Sequence, residues 1–127
     1  MIGYKANIEE LTRANTYFRQ VLYTGLHAQL VLMTLKAGEE IGMEVHPTVD
    51  QFFRFEVGQG KVTIAGVDYA VKDGDVAIVP AGAMHNVVNT GSEDLKLYTI
   101  YSPPNHPEGT IHKTKAEAMV AEKAEHV

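Results

Sequence analysis

The sequence predicts an all-β domain: antiparallel strands closed into a sandwich or barrel, with a short helix at each end. Three observations predict it. Strand-like runs rich in Val, Leu, Ile and aromatic residues recur from Phe18 to Tyr101. Breaks containing Gly or Pro separate them at intervals of roughly 8–12 residues, the rhythm of a sandwich or barrel. No helical pattern interrupts this region, which argues against a parallel βαβ arrangement. The chain has 127 residues, which suits a single domain (1–127), with the barrel over about 18–102 and a Pro-rich segment and helix over 103–127.

The elements follow in order. Asn7 is placed to cap a first helix, and Glu10 stands three residues on, as a capping box requires. The helical pattern fades by Asn15. Phe18 to Tyr23 reads as a strand leading to a turn at Thr24-Gly25, and Leu26 to Lys36 as a long second strand. Gly42 to His46 is short and extended, ended by Pro47. Gln51 to Val57 is aromatic and is ended by Gly58-Gln59-Gly60. Lys61 to Ala65 and Val67 to Val71 flank Gly66 as a hairpin. Val76 to Val79, Met84 to Val88 and Leu95 to Tyr101 complete the strands. Three prolines within 103–107 forbid helix and central strand. Thr114 with Glu117 then opens a terminal helix over Ala116 to Glu125. Met119 and Val120 give it a thin apolar face, suited to the surface or to a neighbouring subunit.

Composition narrows the function. Hydrophobic residues make up 45% and charged residues 21%, ordinary globular values that exclude disorder and collagen-like structure. No apolar run approaches the roughly 20 residues needed to cross a bilayer, so no membrane role is expected. The N-terminus lacks the basic start and apolar stretch of a signal peptide, and a cytoplasmic location is expected. Net charge is −5 with acid and base interspersed, so nucleic acid is not an expected partner. The chain has no cysteine, which excludes disulfides, thiolate nucleophiles, Cys-based zinc sites and iron–sulfur clusters. Any metal must be held by His, carboxylate, amide or backbone oxygen. Ser92 and Ser102 are the only serines and both sit in turns, and no nucleophile elbow, phosphate-cradling loop or His-Glu-x-x-His helix is present.

Two stretches carry the candidate site. In the first, Glu44 and His46 share one face of an extended segment. After the Pro47-Thr48-Val49 turn the returning strand admits two registers. If Asp50 faces inward, so do Phe52, Arg54 and Glu56, and three charges are buried at a cost of several kcal/mol each unless paired. If Gln51 faces inward, so do Phe53 and Phe55. The second register is far cheaper, and Gln51 is assigned to the site face, with Phe53 and Phe55 in the core or pocket wall. In the second stretch, Gly74 to Asn89, a turn, a buried strand and a Pro-x-Gly corner deliver His85 onto a new strand.

This second stretch resembles the second motif of the cupin superfamily. That motif is Gly, five residues, Pro, one, Gly, two, His, three, Asn, and Gly74, Pro80, Gly82, His85 and Asn89 meet it. The first cupin motif reads His, one, His, three or four, Glu, six, Gly. Glu44, His46, Gln51 and Gly58 meet its skeleton, with Glu in place of the first His and Gln in place of the family's Glu. The chain looks like a small single-domain cupin, similar to those of the mannose-6-phosphate isomerase-like kind. The resemblance implies an antiparallel, jelly-roll-like β-barrel with a metal site in one mouth, commonly in a homodimer. It implies metal ligation by Glu44, His46, Gln51 and His85: two imidazoles, one carboxylate and one amide. Phosphomannose isomerases of the same superfamily likewise hold zinc with a Gln, a Glu and two His.

The expected cofactor is one divalent first-row transition metal: zinc, manganese, iron or nickel. The expected partner is a small-molecule ligand. One reading is an isomerase- or epimerase-like enzyme acting on a sugar or sugar phosphate, with the metal as Lewis acid and Glu44, or a metal-bound water, moving the proton. The alternatives are a non-catalytic small-ligand binding or sensor cupin and a metal-dependent dioxygenase. No clear basic cluster supports a phosphate: Arg54 is expected to face outward, and Lys61 and Lys96 are scattered. His27 and Gln29 share a strand face that points either into the barrel or to a sheet edge. His106 either folds over the mouth as a fifth ligand or general acid, or is an exposed loop residue. The same two readings apply to His112 and Tyr101. His126 lies near the terminus, where disorder concentrates. Phe52 and the outward Val and Ile residues offer a dimer interface.

Overall fold

The computed structural model describes residues 2–125. Among them the order is α1 (Ile8–Ala14), β1 (Arg19–Thr24), β2 (Gln29–Leu35), β3 (Asp50–Val57), β4 (Gln59–Ile64), β5 (Val67–Lys72), β6 (Val76–Val79), β7 (His85–Asn89), β8 (Leu95–Ser102), β9 (Ile111–His112) and α2 (Lys115–Glu125). Six strands form one sheet in the order β6-β3-β8-β2-β1-β9, and three form a second in the order β5-β4-β7. All pairings are antiparallel. Two antiparallel sheets around one core make the jelly-roll barrel that the cupin resemblance implies.

The core is built by alternation. Along β3, β8 and β2 every second side chain points between the sheets. Their registers align those side chains in rows: Gln51, Tyr101 and Gln29; then Phe53, Thr99 and Val31; then Phe55, Leu97 and Met33. All nine are buried. Val62, Val71, Val79, Val87 and Leu95 close the cluster. Gln51 therefore faces inward with Phe53 and Phe55, as the charge-burial argument requires.

The turns are local consequences of residue type. The β4–β5 hairpin turns on Ala65 and Gly66, both at positive φ (49° and 83°), as a tight hairpin demands. Gly58 alone separates β3 from β4. Its φ is 95°, and a Cβ there would stand 2.5 Å from the Asp94 carbonyl oxygen. Asn7 caps α1 by accepting from Glu10 N at 3.0 Å, and Thr114 Oγ1 accepts from Glu117 N at 3.1 Å at the head of α2.

Several expectations need correction. Leu26 and His27 lie in an exposed turn, and β2 begins only at Gln29. The segment 42–46 is extended but joins the small sheet only through single bridges, Glu40 to Val88 and Glu44 to His85. Glu56 is buried, although simple alternation sends it outward. A register shift between Phe55 and Val57 turns it in, and Arg54 Nε stands 3.5 Å from its Oε1. On α2 the buried side chain is Ala118, whereas Met119 and Val120 are exposed. β9 was not foreseen, because two residues leave no periodic signal. His126 lies outside the described residues.

Candidate metal centre

Glu44 and His85 are direct backbone partners. Glu44 N donates to His85 O at 2.8 Å and His85 N to Glu44 O at 2.9 Å. Residues opposite one another on an antiparallel bridge project to the same side, so this pairing alone brings their side chains together. His46 stands two residues on, on the same face, and its carbonyl accepts from Gly82 N at 2.9 Å. Asp50 Oδ1 accepts from Ala81 N at 2.8 Å and ties the Pro-x-Gly corner to the start of β3. Gln51 enters from β3, beside Tyr101 of β8.

The result is a convergence of donors. One ligand atom from each of Glu44, His46 and His85 lies within 4.8 Å of the other two, a group able to hold a metal ion. His46 Nε2 and Glu44 Oε2 are 2.9 Å apart, yet His46 Nε2 is buried without an aligned hydrogen-bond partner.

His85 makes the stronger case. Its Nδ1 lies 3.1 Å from Ala83 O, and its Nε2 lies 3.1 Å from Gln51 Oε1. Gln51 Nε2 donates to Thr99 Oγ1 at 3.0 Å, and its Oε1 faces the imidazole. Both partners of the ring are acceptors. A neutral imidazole carries one proton, so one contact sets lone pair against lone pair. An imidazolium would satisfy both, but burial, the largest influence, holds the His85 pKa below its ordinary value; the Ala83 carbonyl opposes this, and nearby His46 adds to it. A cation at Nε2, with Nδ1–H donating to Ala83 O, resolves the conflict. This is how histidine ligands are normally oriented. The donor set therefore fits a divalent ion.

The surrounding charges agree. Burial would raise the Glu44 pKa, but the adjacent His46, then Arg19 and His85, outweigh it and hold it below the ordinary value. Glu44 is thus an anion at neutral pH. Arg19 is almost fully buried; its Nη1 donates to His112 Nδ1 at 3.2 Å and to Glu122 Oε1 at 3.3 Å.

Above the donors lies a cleft of about 390 Å³. Met43, Glu44, Val45 and His46 form one wall, Asn105 and His106 another, and Glu122 of α2 a third. His106 Nε2 lies 3.2 Å from the Tyr101 hydroxyl. Burial, reinforced by the positive charge of Arg19, lowers the His106 pKa to about 3, so its imidazole is neutral. That removes it as a general acid near neutral pH. Burial likewise pushes the Tyr101 phenol well above its usual range.

The four expected ligands thus gather in one place, with Phe53 packed beneath His85 at 6.3 Å between rings. His106 folds over the mouth, Gln29 points inward, His27 does neither, and His112 joins Arg19. Sequence reasoning missed Arg19, Glu122 and Thr99. Arg19 shares a strand face with Val21, and that alternation was a usable signal. Nothing local marks Glu122, because it reaches the cleft only through the packing of α2.

Comparisons with known proteins agree with this architecture. Residues 31–101 match the Cupin_2 family, the cupin domain. YrkC of Bacillus subtilis (strain 168) is 50% identical over 125 residues, spanning 94% of this chain and 67% of that protein. The crystal structure of BH2720 from Bacillus halodurans superposes with a TM-score of 0.91 at 47% identity, covering 92% of this chain and 93% of that one. The oxalate-binding protein of Thermotoga maritima is 29% identical over 68 residues, 54% of this chain and 56% of that protein. Among the described residues, no helix is long and apolar enough to cross a membrane.

Proposed function

The chain belongs to the cupin family, and from that premise we propose that it is a metal-dependent protein acting on a small, oxygen-rich polar molecule. Glu44, His46, Gln51 and His85 would hold one first-row divalent ion. The observation that carries this reading is His85, whose ring meets an acceptor at each nitrogen. Two imidazoles with a carboxylate and an amide oxygen suit zinc, iron, nickel or manganese. When bound, such an ion supplies Lewis acidity to a carbonyl or hydroxyl oxygen.

The chain's own residues do the rest. Glu44 lines the cleft as an anion and is the carboxylate placed to accept a proton from a bound molecule. The neutral His106 lines the mouth, with its Nε2 3.2 Å from the buried Tyr101 hydroxyl. The walls carry carboxylate, imidazole and amide groups beside Met43 and Val45, which favours a polar ligand over an apolar one. Proton transfer next to a carbonyl, as in isomerisation or epimerisation, is the reaction class this supports. Two carboxylates in the walls disfavour a phosphate dianion, so an unphosphorylated sugar is preferred.

A second reading, non-catalytic capture of a small carboxylate, is favoured by the Thermotoga maritima relative named as an oxalate-binding protein. One experiment separates the two. Metal content is measured on untagged protein, which is then incubated in D₂O with aldoses, ketoses and hydroxy acids and followed by NMR. Metal-dependent deuterium incorporation that chelation abolishes supports the enzyme. Tight oxalate binding without exchange supports capture. Absence of metal after incubation with each ion overturns the enzyme, and oxalate binding by the metal-free protein then decides for or against capture.

A further inference from the structure

Gln29 is fully buried on β2, and its amide is saturated. Its Oε1 accepts from Asn105 N at 3.0 Å and from His106 N at 2.9 Å. Its Nε2 donates to His106 O at 2.7 Å and to Thr24 Oγ1 at 2.9 Å. An amide group has two acceptor sites and two donors, and all four are used. Three of the four bonds go to the backbone of two consecutive residues in a segment without regular structure. Burying a primary amide costs free energy unless every bond is made. A strand position inside a barrel would ordinarily hold an aliphatic residue, as Val31 and Met33 do on the same face. The glutamine is explained by what it grips.

What it grips is the strap between β8 and β9. Pro103, Pro104 and Pro107 limit the conformations open to it. Gln29 pins it at the two residues between the last two prolines, Asn105 and His106. Those two residues line the cleft opposite Glu44 and His46. The His106 ring stands edge-on to Tyr101, at 5.2 Å between centroids.

We propose that Gln29 is a positioning residue that latches the 103–107 strap as the roof of the ligand cleft, and that His106 is the roof group that contacts the bound molecule and limits its size. The cleft then admits a small oxygen-bearing molecule and excludes one with a bulky substituent next to its metal-facing oxygen. The size limit rests on the metal-facing cleft of the preceding reading; the latch does not.

The test uses the full chain and Gln29→Met, which keeps side-chain length but removes every hydrogen bond. In metal-free protein, amide exchange at Asn105 and His106 is expected to accelerate at least about tenfold on losing two acceptor contacts, while amides of β3 and β8 keep their rates. In cobalt-loaded protein, acetate and benzoate are titrated by visible absorption. The wild type should prefer acetate by about tenfold or more, and Gln29→Met should bring that ratio toward one by tightening benzoate, a shift of roughly 1.4 kcal/mol. His106→Ala, which leaves the strap's backbone bonds intact, should weaken acetate about threefold to tenfold at unchanged cobalt stoichiometry. Unchanged exchange in Gln29→Met overturns the latch. Accelerated exchange with an unchanged ratio overturns the roof. If Gln29→Met does not fold, His106→Ala decides, and unaltered affinities for both probes overturn the proposal. If cobalt binds neither protein, the metal reading falls and the latch is judged by exchange alone.

Discussion

Two rows of side chains on the same three strands invite comparison. At one end of β2, β8 and β3 stand Gln29, Tyr101 and Gln51. Four residues along each strand, about 13 Å away, stand Met33, Leu97 and Phe55. The rows are buried alike, at 0, 2 and 2% exposure against 0, 0 and 0%. They differ in how burial is compensated. The apolar row needs only close packing. The polar row needs a partner for each polar atom. Gln29 finds all of its partners within the chain. Gln51 meets Thr99 Oγ1 through its Nε2 and the His85 imidazole through its oxygen. Equal burial therefore conceals a floor held by close packing and a mouth held by hydrogen bonds.

The largest expected effect is at the mouth. His46→Ala or His85→Ala should lower zinc affinity by more than about 100-fold, beyond the loss typical of a supporting residue. Competition with a chromogenic chelator measures it, and an unchanged affinity in both variants removes the centre. The floor should respond in the opposite currency. Phe55→Ala should cost about 3–5 kcal/mol in a urea titration while the folded fraction keeps its metal stoichiometry. A cost under about 1 kcal/mol would mean that the row is not core.

Gln51→Leu sharpens the contrast. It removes the oxygen that opposes His85, so metal-free stability should stay within about 1 kcal/mol of wild type even though the Thr99 hydroxyl loses a partner. Zinc affinity should still fall about 10–100-fold. A loss of several kcal/mol would instead make Gln51 a structural residue.

A pH series tests the roof in metal-free protein. The native state holds His106 neutral down to about 3, whereas the unfolded chain takes the proton near pH 6.5. Between those values the unfolded state binds more protons, so stability should fall as pH falls through that window. His85, also held below its ordinary value by burial, adds to the slope. His106→Gln should flatten the curve of urea midpoints from pH 7 to 4, and identical curves would show that His106 is not held neutral. The smallest effect is at the corner. Asp50→Ala loses one acceptor for Ala81 N, worth about 1 kcal/mol.

Much of the mouth was legible because its chemistry sits at short spacing. Glu44 and His46 lie two residues apart, and His85 follows a Pro-x-Gly corner. Gln51 could be assigned because the other register buries three charges. The roof was only partly legible. Gln29 and His106 are 77 residues apart in the chain, and each allowed two readings by itself. Glu56 was misjudged because a register shift is a backbone event that alternation does not encode.

By itself the sequence determined the strand rhythm, the inward face of β3 at Gln51, Phe53 and Phe55, and the standing of Glu44, His46, Gln51 and His85 at cupin-like motif positions. The first two follow from period-two alternation, turn chemistry and the cost of burying charge, all of which act over a few residues, and the third rests on the resemblance to the cupin motifs. The tertiary structure alone decided that Gln29 grips the strap, that Arg19 and Glu122 meet beside the cleft, and that His85 faces an acceptor at each nitrogen. Those facts depend on which distant residues share a space, and hydrogen-bond geometry at about 3 Å is set only when the sheets close.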